Sequence, residues 1–279
     1  SMRNNRFLQI KGFIMKKLVL LFVCMFLCVN TAFAKGNNID INYDNGIYHI
    51  VLKGEKIKKK IKVYASETLK TNKEIHKAAN ALLTINAGFF DPSNGKTISY
   101  VVMDGQTMED PIMNENLLTN TFLNKNLNKI LNRTEFRVVD CYGKLKYEIV
   151  PHNTKEDFEC YVKEAVQGGP LILPELRLEE ELFVVKEGDK IVRESSSVLH
   201  KTSRTVLGLK NGELHILIIT DENPMDMYEV QELCRKLGFE RAMGLDGGSS
   251  TSIDYKNEIS VISKKGDGAG RELKSFIYI

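Results

Sequence analysis

The stretch Arg204-Thr-Val-Leu-Gly-Leu-Lys-Asn-Gly-Glu-Leu-His-Ile-Leu-Ile-Ile-Thr220 sets two apolar runs on either side of Asn211-Gly212. Asn-Gly is a strong hairpin signal, because a tight two-residue turn needs positive φ at both positions. The stretch therefore predicts Arg204 to Leu209 paired with Glu213 to Thr220. Asp221 follows at once. Val230, Leu233, Cys234 and Leu237 then recur at helical spacing, and Gly238 stops that helix. A strand from Arg241 leads into Leu245-Asp-Gly-Gly-Ser-Ser-Thr251.

The same punctuation organises the rest of the chain. Residues 39–65 read as strands around Asn45-Gly46, and the lysine-rich segment Lys56 to Lys62 reads as a solvated edge strand. A short helix begins at Asn72. The strand Leu82 to Ile85 ends in Asn86-Ala-Gly-Phe-Phe-Asp91, and Ile98 to Met103 ends at Asp104-Gly105. The Asn-rich residues 106–134 read as loop and short helix. Glu135 to Val139 and Leu145 to Val150 form a hairpin, and Gln167-Gly-Gly-Pro170 turns into the strand Leu171 to Leu173. Glu175 to Glu181 reads as an exposed acidic loop. Strands Thr251 to Tyr255, Glu258 to Ile262 and Leu273 to Ile279 close the chain. Many strands with few, scattered helices predict an α+β fold, a single domain with a large mixed β-sheet and a few packed helices.

Composition bounds the class. Of the 279 residues, 43% are hydrophobic and 27% charged, which is ordinary for a globular protein. The net charge of +3 misleads, since Arg3, Arg6, Lys11, Lys16 and Lys17 stand in a leader without acids. Beyond Ala34 the acids slightly outnumber the bases, so nothing points to a nucleic-acid partner. Lys16-Lys17, the apolar run Leu18 to Val29 and the small residues of Ala32-Phe33-Ala34 read as a secretory signal peptide cut before Lys35. The expected organisation is a leader over 1–34 and one domain over 35–279. The mature protein is then exported to the periplasm or beyond the cell, with no transmembrane segment after cleavage. Export permits a disulfide, with Cys141 and Cys160 as the candidate pair. Cys234, on the apolar helix face, reads as a buried thiol.

Four turns carry polar groups at the ends of apolar strands: Asn86 to Asp91, Gln167 to Pro170, Asp221, and Asp246 to Thr251. Singly, each is ordinary turn chemistry. Asp246 stands out because Gly247-Gly248-Ser249-Ser250-Thr251 follows it. Successive N–H groups after a glycine pair can form a nest for an anion, and the hydroxyls add donors. A carboxylate beside an anion nest suits a substrate with both a reactive carbon and a phosphate.

In order, Asn86-Ala-Gly-Phe-Phe, Val102-Met-Asp-Gly105, Gly168-Gly-Pro-Leu-Ile172, Ser203-Arg-Thr-Val-Leu-Gly208 and Leu245-Asp-Gly-Gly-Ser-Ser-Thr251 resemble the phosphodiester glycosidase family, over roughly Leu82 to Ile279. Gln167 stands where the family often has Gly, Ser203 where it often has Ala or Pro, and Glu222 to Asp226 replaces a glycine-containing loop. The resemblance implies hydrolysis of a sugar 1-phosphodiester at the anomeric carbon. On that reading Asp246 acts as base or nucleophile, with Asp221 as its partner. Arg204 holds the phosphate, and Arg271 is a second candidate for it. Asn86, Asp91, Gly168, Gly169 and the turn from Gly247 to Thr251 bind substrate. No cofactor is required, although Asp221, Asp246, Asp91 and Asp104 offer oxygen ligands to Ca²⁺ or Mg²⁺. One competing reading is a non-catalytic carbohydrate-binding or exopolysaccharide-assembly protein on the same fold. Another is a serine hydrolase using Ser249 or Ser250 with His200 or His215, which lacks the Gly-x-Ser-x-Gly elbow.

Overall fold

The computed structural model describes residues 38–263 and 268–279. The expected leader and cleavage site lie outside the described residues. All described residues belong to one compact unit, and among them no helix is long and apolar enough to cross a membrane.

The α+β character holds, but the single mixed sheet does not. Three main sheets form, and their strand pairs are antiparallel. The first orders Ile39–Asp44, Ile47–Leu52, Glu213–Ile219, Arg204–Lys210, Arg241–Gly244 and Leu171–Leu173. The second orders Ile259–Ile262, Ser252–Tyr255, Leu83–Asn86, Leu273–Tyr278 and Lys62–Lys70. The third orders Gln106–Glu109, Val101–Met103, Cys160–Gln167, Thr134–Cys141 and Lys144–Pro151. A separate hairpin pairs Val184–Glu187 with Lys190–Glu194.

The sheets share one apolar core, built from residues such as Ile216 in the first, Ile85 and Ile277 in the second, and Phe136 and Val166 in the third. The 204–220 hairpin forms as its turn dictates, with Asn211 and Gly212 at φ 52° and 72°. Its second strand is apolar from Ile216 onward because both faces are buried there. Leu214, Ile216 and Ile218 enter the shared core, while Leu217 and Ile219 face a second core beneath the helix Met227–Lys236. That helix begins at a capping box between Asp226 and Glu229 and buries Val230 and Cys234. Cys141 and Cys160 are disulfide-bonded across paired positions of the third sheet.

Other expectations need correction. Glu55–Lys58 forms a helical turn rather than a strand, so the lysines there do not guard a sheet edge. Glu181 is not on an exposed loop. It is buried, and its carboxylate accepts from the Thr134 N–H and hydroxyl and the Leu171 N–H.

Gly208 marks the tightest approach in the first sheet. A β-carbon there would stand 2.3 Å from Cδ2 of Phe239. Phe239 is itself held beside the His215 ring, with centroids 5.0 Å apart. Gly208→Ala is expected to destabilise the protein by about 1–3 kcal/mol through overpacking. Adding Phe239→Leu should return part of the loss in denaturant unfolding, whereas a Gly208→Ala variant as stable as the parent would refute this packing account.

Candidate active site

Two strands from different sheets end side by side. Leu83–Asn86 of the second sheet stops at Asn86, and Arg241–Gly244 of the first stops just before Asp246. A backbone bond joins them, the Asp246 N–H donating to Ala87 O at 2.9 Å, and the Leu245 N–H holds the turn to its own sheet through Thr205 O at 2.9 Å. Beyond them opens a cavity of about 410 Å³. Phe89, Phe90, Ile98 and Leu117 form its apolar wall. The turn from Asp246 to Ser249 and the loop Ser195–Ser197 form its polar wall. Arg133, Arg193 and Arg271 also line it, and Asp246 is the one carboxylate among the described lining residues.

Enclosure sets the character of Asp246. Burial pushes its carboxyl up to about 6, while a hydrogen bond from Ser250, the nearby Arg271 charge and the Gly247 N–H pull the other way. The Gly247 N–H donates to Asp246 Oδ1 at 2.9 Å. Arg271 donates through Nη1 to Ser249 Oγ at 2.8 Å, and its guanidinium lies 5.0 Å over the Phe90 ring. A carboxylate and a cation thus flank the same turn, each held by that turn's own groups.

The turn is not an open anion nest. The Gly247 N–H is taken by Asp246, the Gly248 N–H donates to Ser203 O, and the Ser250 and Thr251 N–H groups close a 3-10 turn. At most the Ser249 amide remains for a ligand. Gly247, Gly248 and Ser249 line the cavity, while Ser250 and Thr251 are buried behind them.

Several expected ligand groups hold the frame instead. Asn86 is fully buried. Its Nδ2 donates to Asp246 O at 2.6 Å, and its Oδ1 accepts from Thr205 Oγ1 at 2.7 Å and the Ser252 N–H at 3.1 Å. With its oxygen doubly engaged and the side chain buried behind the cavity wall, the amide is not presented to a sugar hydroxyl. Asp91 closes its own turn through Ser93 and reaches Asn116. Gly168 and Gly169 pack against the Gly244 backbone, where a β-carbon on Gly168 would stand 2.7 Å from Gly244 O. Asp221 accepts from Ser263 Oγ, which lies 3.1 Å from Ser203 Oγ, itself 2.8 Å from Gly248 O. It braces the turn from behind rather than facing Asp246 across the cavity.

Arg204 is corrected most sharply. It is buried, and its guanidinium donates to four carbonyls: Met225 O at 2.9 Å, Ser196 O at 3.1 Å, Ser197 O at 2.6 Å and His200 O at 2.7 Å. Burial lowers its proton affinity to about 10. The side chain is outside the cavity wall and holds the loop that forms that wall. Ser196 and Ser197 sit at φ 57° and 48°, a conformation non-glycine residues adopt at a cost of about 1–2 kcal/mol each. Four carbonyl contacts to one cation offset that cost.

The side chains that could hold a metal ion, or assist a serine nucleophile, are dispersed. Asp104 pairs with Lys62 rather than with Asp91, Asp221 or Asp246, and no three metal-ligating side chains converge among the described residues. His215 hydrogen-bonds His49 between strands, and His200 meets Glu194, so neither serves Ser249 or Ser250. The loop Glu222 to Asp226 turns away from the cavity. Glu222 accepts from Tyr43, Asn223 donates to Asn45 O, and Asp226 caps the helix.

Sequence reasoning missed Arg133, Arg193 and the Ser195–Ser197 loop. Gly188-Asp189 between two short β-branched runs signals the hairpin that carries Arg193. Arg133 precedes a buried strand inside an Asn-rich segment and has no local signal.

The family model described as phosphodiester glycosidase matches residues 79–279. The chain is similar in structure to the catalytic domain of zebrafish N-acetylglucosamine-1-phosphodiester alpha-N-acetylglucosaminidase, auto-inhibited by its pro-peptide. That match has a TM-score of 0.60 and 14% identity over 89% of this chain and 86% of that one. It is also similar to a hypothetical protein from Synechocystis, with a TM-score of 0.55 and 12% identity over 85% and 60% of the two chains. A protein of Burkholderia pseudomallei described as exported matches with a TM-score of 0.59 and 11% identity over 83% and 73%. Comparison with curated protein sequences returns no match. At such identities the structures speak for the fold, and the family model, which covers most of the chain, places this protein in the phosphodiester glycosidase family.

Proposed function

We propose that the protein hydrolyses a sugar 1-phosphodiester in the 410 Å³ cavity, with Asp246 acting at the anomeric carbon. The carrying observation is the enclosed Asp246 carboxylate, poised near 6, beside a cation held on the same turn. The phosphate is assigned to Arg271 in place of Arg204, with Ser249 beside it. The apolar faces of the sugar meet Phe89 and Phe90, and its hydroxyls meet Ser195 to Ser197.

One carboxylate is enough for this chemistry. An ordinary glycoside needs a second group to protonate its leaving oxygen. A phosphomonoester leaves as a stabilised anion, so the site must mainly stabilise charge. With Asp246 as base, water adds to C1, the C1–O bond to phosphorus breaks, and the water proton passes to Asp246. With Asp246 as nucleophile, a glycosyl ester forms first and water then opens it. The anomer released, read by NMR, separates the two. Export, expected from the leader, belongs to the same reading, as does the substrate's location outside the cytoplasm. A non-catalytic carbohydrate-binding protein would share the cavity but show binding without turnover.

Three outcomes test this reading. Asp246→Asn should lower kcat by at least about a hundredfold toward an aryl N-acetyl-α-glucosamine 1-phosphodiester, as expected for loss of a base. Turnover close to the parent's would remove Asp246 from the mechanism, and a parent that binds without turning over would favour the non-catalytic role.

The raised carboxyl adds a pH signature. Asp246 must be ionised to act, so kcat/KM should fall about tenfold per unit below pH 6. The folded pKa is raised, so folding favours the protonated form, and ionising Asp246 costs stability as pH rises from about 4 through about 6. Asp246→Asn should therefore stabilise the fold by about 3 kcal/mol at pH 7.5 and hardly at all below pH 4. Equal gains in melting temperature at both pH values would contradict the burial of this carboxyl.

Arg204→Lys tests the reassignment of that residue. A lysine cannot reproduce the four-carbonyl grip, so stability should drop by about 2–4 kcal/mol. A variant with normal stability but a raised KM alone would restore Arg204 to the phosphate.

A further inference from the structure

The three guanidinium groups of the cavity do not gather at one place. Phe89 and Phe90 are chain neighbours rooted in different cores, Phe89 with Ile172 and Phe183, Phe90 with Leu273 and Phe276. Arg271 lies over Phe90. Arg133 lies 4.0 Å over Phe183 and 5.8 Å from Phe89. The cavity therefore has two cationic poles. Only the Arg271 pole contains the carboxylate.

At the other pole two cations face each other without a shared counter-ion. The Arg193 guanidinium lies 4.5 Å over Phe122, and its side chain makes no hydrogen bond or ion pair among the described residues. Arg133 gives Nε to Glu181 O at 2.8 Å and Nη2 to Leu182 O at 3.4 Å, and its Nη1 has no partner among the described residues. The Glu181 carboxylate attracts Arg133, but it is turned to Thr134 and Leu171 and is not part of the wall. Burial, with the Arg193 charge adding to it, lowers the proton affinity of Arg133 to about 10. Like charges facing one enclosed space repel, and an anion between them turns both into charge-assisted donors. A single phosphate at Asp246 is already served by Arg271 and needs neither of them.

We propose that Arg133 and Arg193 form a second anionic subsite that takes a further phosphate or carboxylate on the aglycone side of the substrate. The preferred substrate class is then a glycosyl phosphodiester whose leaving portion is itself anionic. This rests on the cavity being the substrate site assigned above.

The test is calorimetric and independent of turnover. Propyl phosphate is compared with α,ω-alkane bisphosphates of two to six carbons, and with the matching ω-carboxyalkyl phosphates, at fixed salt. At the best length the second anion should tighten binding at least about tenfold, because it binds as a tethered group. The bisphosphate and carboxylate arms show which anion the subsite prefers. Arg193→Gln should abolish the gain. Arg271→Gln should weaken every probe. Lys190→Gln, an exposed neighbour on the same hairpin outside the wall, should change nothing. The proposal falls if no length gives the gain, if Arg193→Gln keeps it, or if Lys190→Gln loses it equally. A tenfold gain in a protein that turns over no glycosyl phosphodiester would keep the subsite and sink the glycosidase reading. Turnover without the gain would do the reverse.

Discussion

The side-chain amide of Asn86 is the constraint on which the site depends. It sits at the end of a central strand, fully buried, and makes three hydrogen bonds: to Asp246 O, from Thr205 and from Ser252. Those partners belong to the turn at Asp246, the first sheet and the second sheet. An apolar residue of similar size would leave buried groups unpaired at about 1–3 kcal/mol each. The amide thus fixes the separation of two sheets at the point where the cavity opens. Asp246 can be enclosed because its own backbone is tied on both sides of the residue.

Arg204 solves a related problem from the opposite direction. A loop that presents Ser195 to Ser197 to a cavity has to bend sharply and leaves its carbonyls pointing inward. Buried carbonyls need donors, and a planar fork with five N–H groups supplies several from one side chain. A buried cation is costly, so beside the attraction of Asp226 and Glu194 the charge is spread over the carbonyl dipoles of Ser196, Ser197, His200 and Met225. The same residue type therefore plays opposite parts here: Arg204 builds the wall, and Arg193 faces what the wall encloses.

Much of this was legible in the sequence, and the failures have physical causes. The 204–220 hairpin and the Met227–Lys236 helix declare themselves through turn chemistry and periodicity. The turn around Asp246 announces itself by composition. Sheet membership does not. Cys160–Gln167 belongs to the third sheet and Leu171–Leu173 to the first, and only a short turn separates them. The strand Cys160–Gln167 is also disguised by Lys163 and Glu164, and Glu164 is buried because it accepts from the Val63 N–H and pairs with Lys62. Roles are harder still. Asn86 and Arg204 occupy the motifs that mark the family, and both are polar residues at strand ends. Whether such a group faces a ligand or a carbonyl depends on residues distant in the chain, here Ser252 for Asn86 and Ser196 for Arg204.

On the proposed reading, the placement of Asp246 sets activity against stability. Had it stood in water, its carboxyl would ionise freely at little cost and would be a weak base. Enclosure raises its proton affinity toward the range where it accepts a proton effectively at neutral pH, and the same enclosure penalises the folded state whenever the group is ionised. Arg271, the Ser250 hydroxyl and the Gly247 N–H moderate that penalty without cancelling it. Removing Arg271 would raise the carboxyl further, and a second cation beside it would lower it. If Asp246 is the base, a single cation at its pole keeps the carboxyl in a useful range, and positive charge at the other pole can meet an anion without lowering it.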